Sequence, residues 1–372
     1  MKLTVNKSDI TEVLAKIQGL TGRKSNLAIT ENLLMRSGSD GIHLIATDLE
    51  SGFEGFYPAR IDEEGTIAIN AKTFYEIVRE LPSEEVKIHE VENRWIEIGN
   101  RKVLYHIVGM NPEDFPDHPQ VGEVEFIDFP GEGLKKMIEK TVMIVGAPND
   151  KRAHINGVLF ERVSQEDRPM LRMVSTDGSR LTLVDHELEE APTALADAGL
   201  IIPKRGLGEV GKFLEGEDRV RIGAKDNKFI VKKDDETFII RLLEGDFPKY
   251  AEIIVRGKGH EIKLERAVFL KMLKRMSILS SETYKGAIFN FRENNLEVTA
   301  TNPDRGESKE DMDIVYEGDP MQIAFNPRYF IDVLNAMEEE TAVLHIIDEE
   351  KPCLIDGETD KRFLSVIMPM RI

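Results

Sequence analysis

The stretch Leu171-Arg172-Met173-Val174-Ser175-Thr176-Asp177 keeps three same-face positions apolar or small and closes on a Thr-Asp turn signal, the pattern of a strand with one buried face. It has two counterparts, Ile42-His43-Leu44-Ile45-Ala46-Thr47-Asp48 and Leu296-Glu297-Val298-Thr299-Ala300-Thr301-Asn302. Thr47, Thr176 and Thr301 lie about 125 to 130 residues apart, so the period is itself the size of a domain.

Two further signatures keep that period. Ile67-Ala68-Ile69-Asn70-Ala71-Lys72 matches Leu200-Ile201-Ile202-Pro203-Lys204-Arg205 and Ile323-Ala324-Phe325-Asn326-Pro327-Arg328, each a short strand entering a helix start. The helices that follow present one apolar face through Phe74, Ile77, Val78 and Leu81, through Leu207, Val210, Gly211 and Leu214, and through Phe330, Val333, Leu334 and Met337. The third signature opens each copy, with Ile10, Val13, Leu14 and Ile17, then Leu134, Met137, Ile138 and Thr141, then Phe269, Met272, Leu273 and Met276 at helical spacing. Short β-rich segments at 2–5, 124–127 and 261–264 are expected to precede those helices. Turn formers at 117–122 and 256–260 read as linkers. The expectation is three similar α+β domains, 1–122, 123–256 and 257–372, each with two strand–helix–strands units.

Composition bounds what such a chain does. With 372 residues, 41% of them hydrophobic and 31% charged, it has enough apolar material for several cores. The formal charge of −19 makes the average surface repel DNA and anionic membranes, which excludes a generally basic coating protein but not a local basic lining. The six helices together carry about +3, which leaves about −22 elsewhere. That segregation fits a positive lining for a phosphate backbone, and it equally fits the preference of Lys and Arg for solvated helix faces. The single cysteine, Cys353, excludes an intrachain disulfide and a Cys-rich zinc site and suits a reducing compartment. Met1-Lys2-Leu3-Thr4-Val5 reads as a strand rather than a signal peptide, and no apolar run is long enough to span a bilayer, so a cytoplasmic protein is expected.

Chemistry-bearing motifs are weak. Gly206-Leu207-Gly208-Glu209-Val210-Gly211 matches the dinucleotide pattern G-x-G-x-x-G, but the sister copies carry no such glycines. Gly19 to Lys24 has the wrong spacing for a phosphate loop, and the eight histidines never fall at metal-binding spacing. Asp114-Phe115-Pro116-Asp117-His118 reads as a turn before a domain boundary, with a cation site as the alternative. No nucleophile elbow is present. No cofactor, metal or catalytic residue is expected.

Together, the three copies, the opening strand, Thr176-Asp177-Gly178-Ser179-Arg180-Leu181, the Asp246-Phe247-Pro248 turn and the ending Ser365-Val366-Ile367-Met368-Pro369-Met370-Arg371-Ile372 resemble the β subunit family of bacterial DNA polymerase III, the β sliding clamps. The resemblance covers essentially the whole chain. It implies a head-to-tail homodimer closing a six-domain ring, helices inside and sheets outside. Twelve helices at about 10 Å each give a hole roughly 120 Å around, enough for duplex DNA. It implies phosphate contacts from Arg23, Lys24, Lys72, Arg152, Lys204 and Arg205, with Arg328 in the equivalent slot of the third copy. It implies a dimer contact of Tyr105 and Ile107 with Ile278 and Leu279, ordinary intradomain core being the alternative for these four. It also implies a hydrophobic pocket for partner peptides made by Ile155, Thr176, Gly178, Arg180, Leu181, Pro248, Ile253, Val366, Met368, Pro369 and Met370, where a buried C-terminal edge strand is the alternative for the last of these. Expected partners are duplex DNA read without sequence preference, the replicative polymerase, the clamp loader and other proteins with a Gln-Leu-x-Leu-Phe-like motif, and no membrane. Ser179, Glu252 and Pro352 depart from the family's usual rim and bear on its peptide preference. Two rival readings are a peptide-binding scaffold without a ring and a dinucleotide-dependent enzyme built on Gly206–Gly211.

Overall fold

A computed structural model describes residues 1–21, 27–116, 122–146, 150–189, 199–216, 219–279 and 285–371. Seven helices are described: α1 (Lys7–Thr21), α2 (Ala71–Glu80), α3 (Gly131–Val142), α4 (Ala153–Asn156, one turn), α5 (Lys204–Phe213), α6 (Arg266–Met276) and α7 (Pro327–Ala336). The six long ones each follow a strand, as the repeat requires. The apolar positions named for their faces are buried, Gly211 alone being intermediate. Asn70 and Asn326 cap α2 and α7 by accepting from the Thr73 and Arg328 amides. G-x-G-x-x-G lies inside α5, where Gly206 meets the Ile240 side chain, so these glycines pack a helix and form no phosphate loop.

One expected strand is displaced. The strand before α3 is Ile127–Pro130, not 124–127, and it pairs with Arg219–Lys225. Val124 and Phe126 instead pack against Gly223 as irregular chain, so their alternation is that of a covering segment rather than of a ladder.

The strands are distributed over four antiparallel sheets, and the described chain forms two compact units. In the unit made of Met1–Lys135 and Arg205–Leu242, a five-stranded sheet runs Arg60–Glu63, Lys2–Asn6, Glu85–Glu90, Trp95–Gly99, Leu104–Val108. An eight-stranded sheet of the same unit joins first and central domains where Ser51–Pro58 pairs with Glu236–Arg241, Phe53 opposite Phe238. A half-buried polar cluster reinforces that seam: the Tyr57 hydroxyl donates to Glu236, whose carboxylate lies 3.2 Å from Lys233 and 3.7 Å from Lys16.

In the second unit, another eight-stranded sheet joins central and third domains where Arg180–Glu187 pairs with Phe363–Ile367, Thr182 opposite Ser365 with their hydroxyls 3.0 Å apart. The last sheet holds four strands, Gly306–Asp313, Asn295–Asn302, Ala287–Arg292 and Met321–Phe325. A rule emerges from the repeat. The strand after the Thr-Asp turn of one domain pairs with the last strand of the next. Among the described residues a third instance is not found, Gly306–Asp313 and Leu104–Val108 each being the edge of a sheet.

Candidate functional site

The Thr176–Arg180 turn is held by its own side chains. Thr176 Oγ1 donates to the Arg180 carbonyl (2.7 Å) and accepts from the Gly178 amide (3.1 Å), and Asp177 accepts from the Ser179 and Arg180 amides. Gly178 sits at φ +90°, where a side chain is strained. Arg180, only 7% exposed, bonds Asp177 (3.0 Å) and Asp332 on α7 (2.6 Å) and lies over the Tyr329 ring at 4.4 Å. A buried guanidinium with two carboxylates and an aromatic face is fixed in direction, and it fastens the turn to the third domain. Tyr329 and Asp332 were not read from the sequence. Their signal was one charged and one aromatic residue a helical turn apart, beside the apolar stripe of α7.

Leu181 and Val366 are buried, opposite each other in the ladder. With Leu159, Val174, Leu183, Ile201, Leu354 and Leu364 they form one apolar cluster, flanked by half-buried Phe247, Tyr250 and Ile253. Phe363–Ile367 is an interior strand, not the edge strand offered as an alternative. After it the chain leaves the sheet, with Met368 and Met370 exposed and the Met370 amide bonded to the Ala324 carbonyl. Proline at 369 suits that departure. Ile155 is buried in α4, while exposed Pro248 lines a neighbouring cleft of about 590 Å³ with Leu159, Glu161, Ile201, Phe247 and Tyr250. The Tyr250 hydroxyl bonds Glu161 and accepts from Arg172, which grips Asp185 at 2.6 Å; burial pushes the phenol pKa up to about 12.

Lys204, expected at a phosphate contact, is engaged within its own chain. Its ammonium donates to the Ile155 carbonyl (2.7 Å) and the Thr176 carbonyl (3.1 Å), and desolvation brings its pKa down to about 8. The ammonium thus braces the backbone of two residues expected in the pocket. Arg205 pairs with Asp48 at 2.7 Å, and exposed Arg152 pairs with Asp150 at 2.6 Å. Lys72 and Arg328 are exposed in the first turns of α2 and α7. Arg23 and Lys24 lie outside the described residues.

The four residues expected at a dimer contact sit at chain surfaces. Tyr105, 40% exposed, and half-buried Ile107 lie on the edge strand Leu104–Val108; Ile278 is 70% exposed and Leu279 half-buried just after α6. Intradomain core is thereby excluded for Tyr105 and Ile278. Among the described residues no group of three His, Cys, Asp or Glu is placed to hold a metal, and no helix is long and apolar enough to cross a membrane.

The first domain carries a counterpart of the apolar cluster: Ile29, Leu34, Ile45 and Ala68, closed by Phe115. Asp114-Phe115-Pro116 thus repeats Asp246-Phe247-Pro248. Asp117 and His118 of that stretch lie outside the described residues.

Three family models match in tandem: the DNA polymerase III beta subunit N-terminal domain over residues 1–119, its central domain over 128–249 and its C-terminal domain over 252–371. The beta sliding clamps of Salmonella typhimurium and Escherichia coli K12 are each 30% identical to the chain, with full coverage on both sides. Among solved structures, the DnaN sliding clamp of Bartonella birtlesii bound to griselimycin is 26% identical with a TM-score of 0.93, and the polymerase sliding clamp of Caulobacter crescentus is 25% identical with a TM-score of 0.92; each covers 100% of both chains.

Proposed function

This chain belongs to the family of the DNA polymerase III beta subunit, the beta sliding clamps, and on that premise we propose how its residues do the work of a DNA sliding clamp. The observation that carries the reading is the missing third seam. Two copies supply it twice, Gly306–Asp313 of one joining Leu104–Val108 of the other, which closes a ring and removes both free edges. Tyr105 and Ile107 then meet Ile278 and Leu279 of the second copy. The domain boundaries in this reading are 1–122, 123–256 and 257–372.

A ring holds DNA by topology, so it needs weak, sequence-blind phosphate contacts and no catalytic group. Lys72, Arg152, Lys204, Arg205 and Arg328, with Arg23 and Lys24, supply them, and the acidic remainder keeps DNA from the outside. The apolar cluster beside Arg180, with adaptable Met368 and Met370, takes short motifs from the polymerase, the clamp loader and other partners in turn. The protein works in the cytoplasm, with no membrane and no cofactor, as a tether rather than an enzyme.

The test combines solution mass with peptide titration. The reading requires a mass twice the chain's 42.1 kDa and saturable binding of a Gln-Leu-x-Leu-Phe peptide that disappears when residues 368–372 are removed from a still-folded chain. A one-chain mass with peptide binding would instead favour the scaffold without a ring.

A further inference from the structure

A second cleft, of about 350 Å³, lies wholly within the first unit, where the Thr47–Ser51 turn meets the hairpin Asp226-Asn227-Lys228 and the strand Glu236–Arg241. Its turn has the same hydrogen bonds as Thr176–Arg180: Thr47 Oγ1 donates to the Ser51 carbonyl (2.8 Å) and accepts from the Leu49 amide (3.0 Å). The ladder places Ser51 opposite Ile240 and Arg180 opposite Ile367, so Ile239 stands where Val366 does and Arg241 where Met368 does. The cleft is therefore the repeat-related twin of the peptide pocket, with different side chains.

Two features mark it as more than a leftover of the repeat. Leu49 occupies the slot of Gly178 at φ +76° and is 50% exposed, so an apolar side chain is held out to solvent on a strained backbone. Lys228 and Arg241 face each other in register on neighbouring strands, and among the described residues neither has an ion-pair partner. Like charges directly opposite destabilise a sheet, and an anion placed between them reverses that effect. The cleft's carboxylates are Glu50, which reaches Arg205 at 4.0 Å, and Asp226 in the exposed hairpin turn.

We propose that this cleft is a second peptide site, taking an extended acidic segment of a partner protein. A carboxylate of the segment is held by Lys228 and Arg241, and the adjoining apolar side chain lies on Leu49 and Ile239. Where the central–third pocket selects apolar anchors, the first–central cleft selects an acidic residue beside one. The twin argument draws on the pocket reading above; the cavity, the strained leucine and the facing cations do not.

The probe is a fluorescein-labelled Leu-Phe-Asp-Asp peptide titrated against the full chain, with the Gln-Leu-x-Leu-Phe peptide titrated in parallel to report on the other pocket. A chain of net charge −19 repels acidic peptides in general, so saturable binding is specific. The expected result is saturable binding that survives removal of residues 368–372, falls at least about tenfold in Lys228→Glu/Arg241→Glu, and weakens as salt rises. Leu49→Gly, which relieves the backbone while removing the apolar contact, weakens it without lowering the melting temperature. No saturable binding to the folded chain, indifference to both variants, or loss on removing 368–372 would each overturn the proposal.

Discussion

The Thr47–Ser51 and Thr176–Arg180 turns share one backbone and one set of hydrogen bonds, yet hold different things. At the first, Ser51 is small and the cleft stays polar; at the second, Arg180 reaches across to Asp332 and Leu181 joins the apolar cluster. The outer patches repeat the contrast. Phe115, 9% exposed, seals the first domain's patch, whereas Phe247 stays half-buried at the margin of the central one. The turn and its pairing are thus shared by the first two copies, and what differs is the single side chains placed on them.

Removing Arg180 breaks this contrast most severely. Arg180→Ala leaves Asp177 and Asp332 facing a hole and should cost about 3 kcal/mol, read as a lower urea midpoint, along with loss of peptide binding. The matching Ser51→Ala should change stability far less.

Lys204 offers the next test, through pH. Its folded pKa, about 8, lies below the lysine reference of 10.5, so between those values the unfolded chain binds more protons and this group makes stability rise with pH. Lys204→Met lacks that contribution, so the wild-type-minus-variant difference between the two stability curves should rise between about pH 8 and pH 10.5. A difference that is flat across this window would show that the ammonium is solvated and free for phosphate.

Exchanging the turn residues is subtler. Gly178→Leu should cost about 1 kcal/mol for placing a side chain at φ +90°. The reciprocal Leu49→Gly should be nearly neutral in thermal melts, because relief of strain offsets the entropy of a glycine in the unfolded chain. The smallest effect is expected at Lys72, outside both turns, where Lys72→Ala should lower the slope of log affinity for DNA against log salt by about one.

Much of the fold was legible because apolar spacing reports burial directly: Phe74, Leu207 and Phe330 are all core, at the same place in three copies. Residues whose role depends on a distant partner were harder. Nothing near Lys204 in sequence says that its ammonium reaches carbonyls at 155 and 176, and nothing near Arg180 points to Asp332. The strand before α3 was misplaced because alternation looks the same in a ladder and in a segment lying over one. Cys353 lies buried in the strand Cys353–Gly357, and burial pushes its thiol pKa up.

Closure of the ring by the two free edges is the claim on which the rest depends, and one measurement addresses it. Copies carrying Ile107→Cys and Ile278→Cys are allowed to close around nicked circular DNA, cross-linked with a short bis-maleimide and washed in high salt, which removes electrostatic binding. The account predicts that protein stays on the circle through the wash and is released when the DNA is cut to a linear form. Protein that washes off the intact circle, or that stays on the linear form, would contradict it.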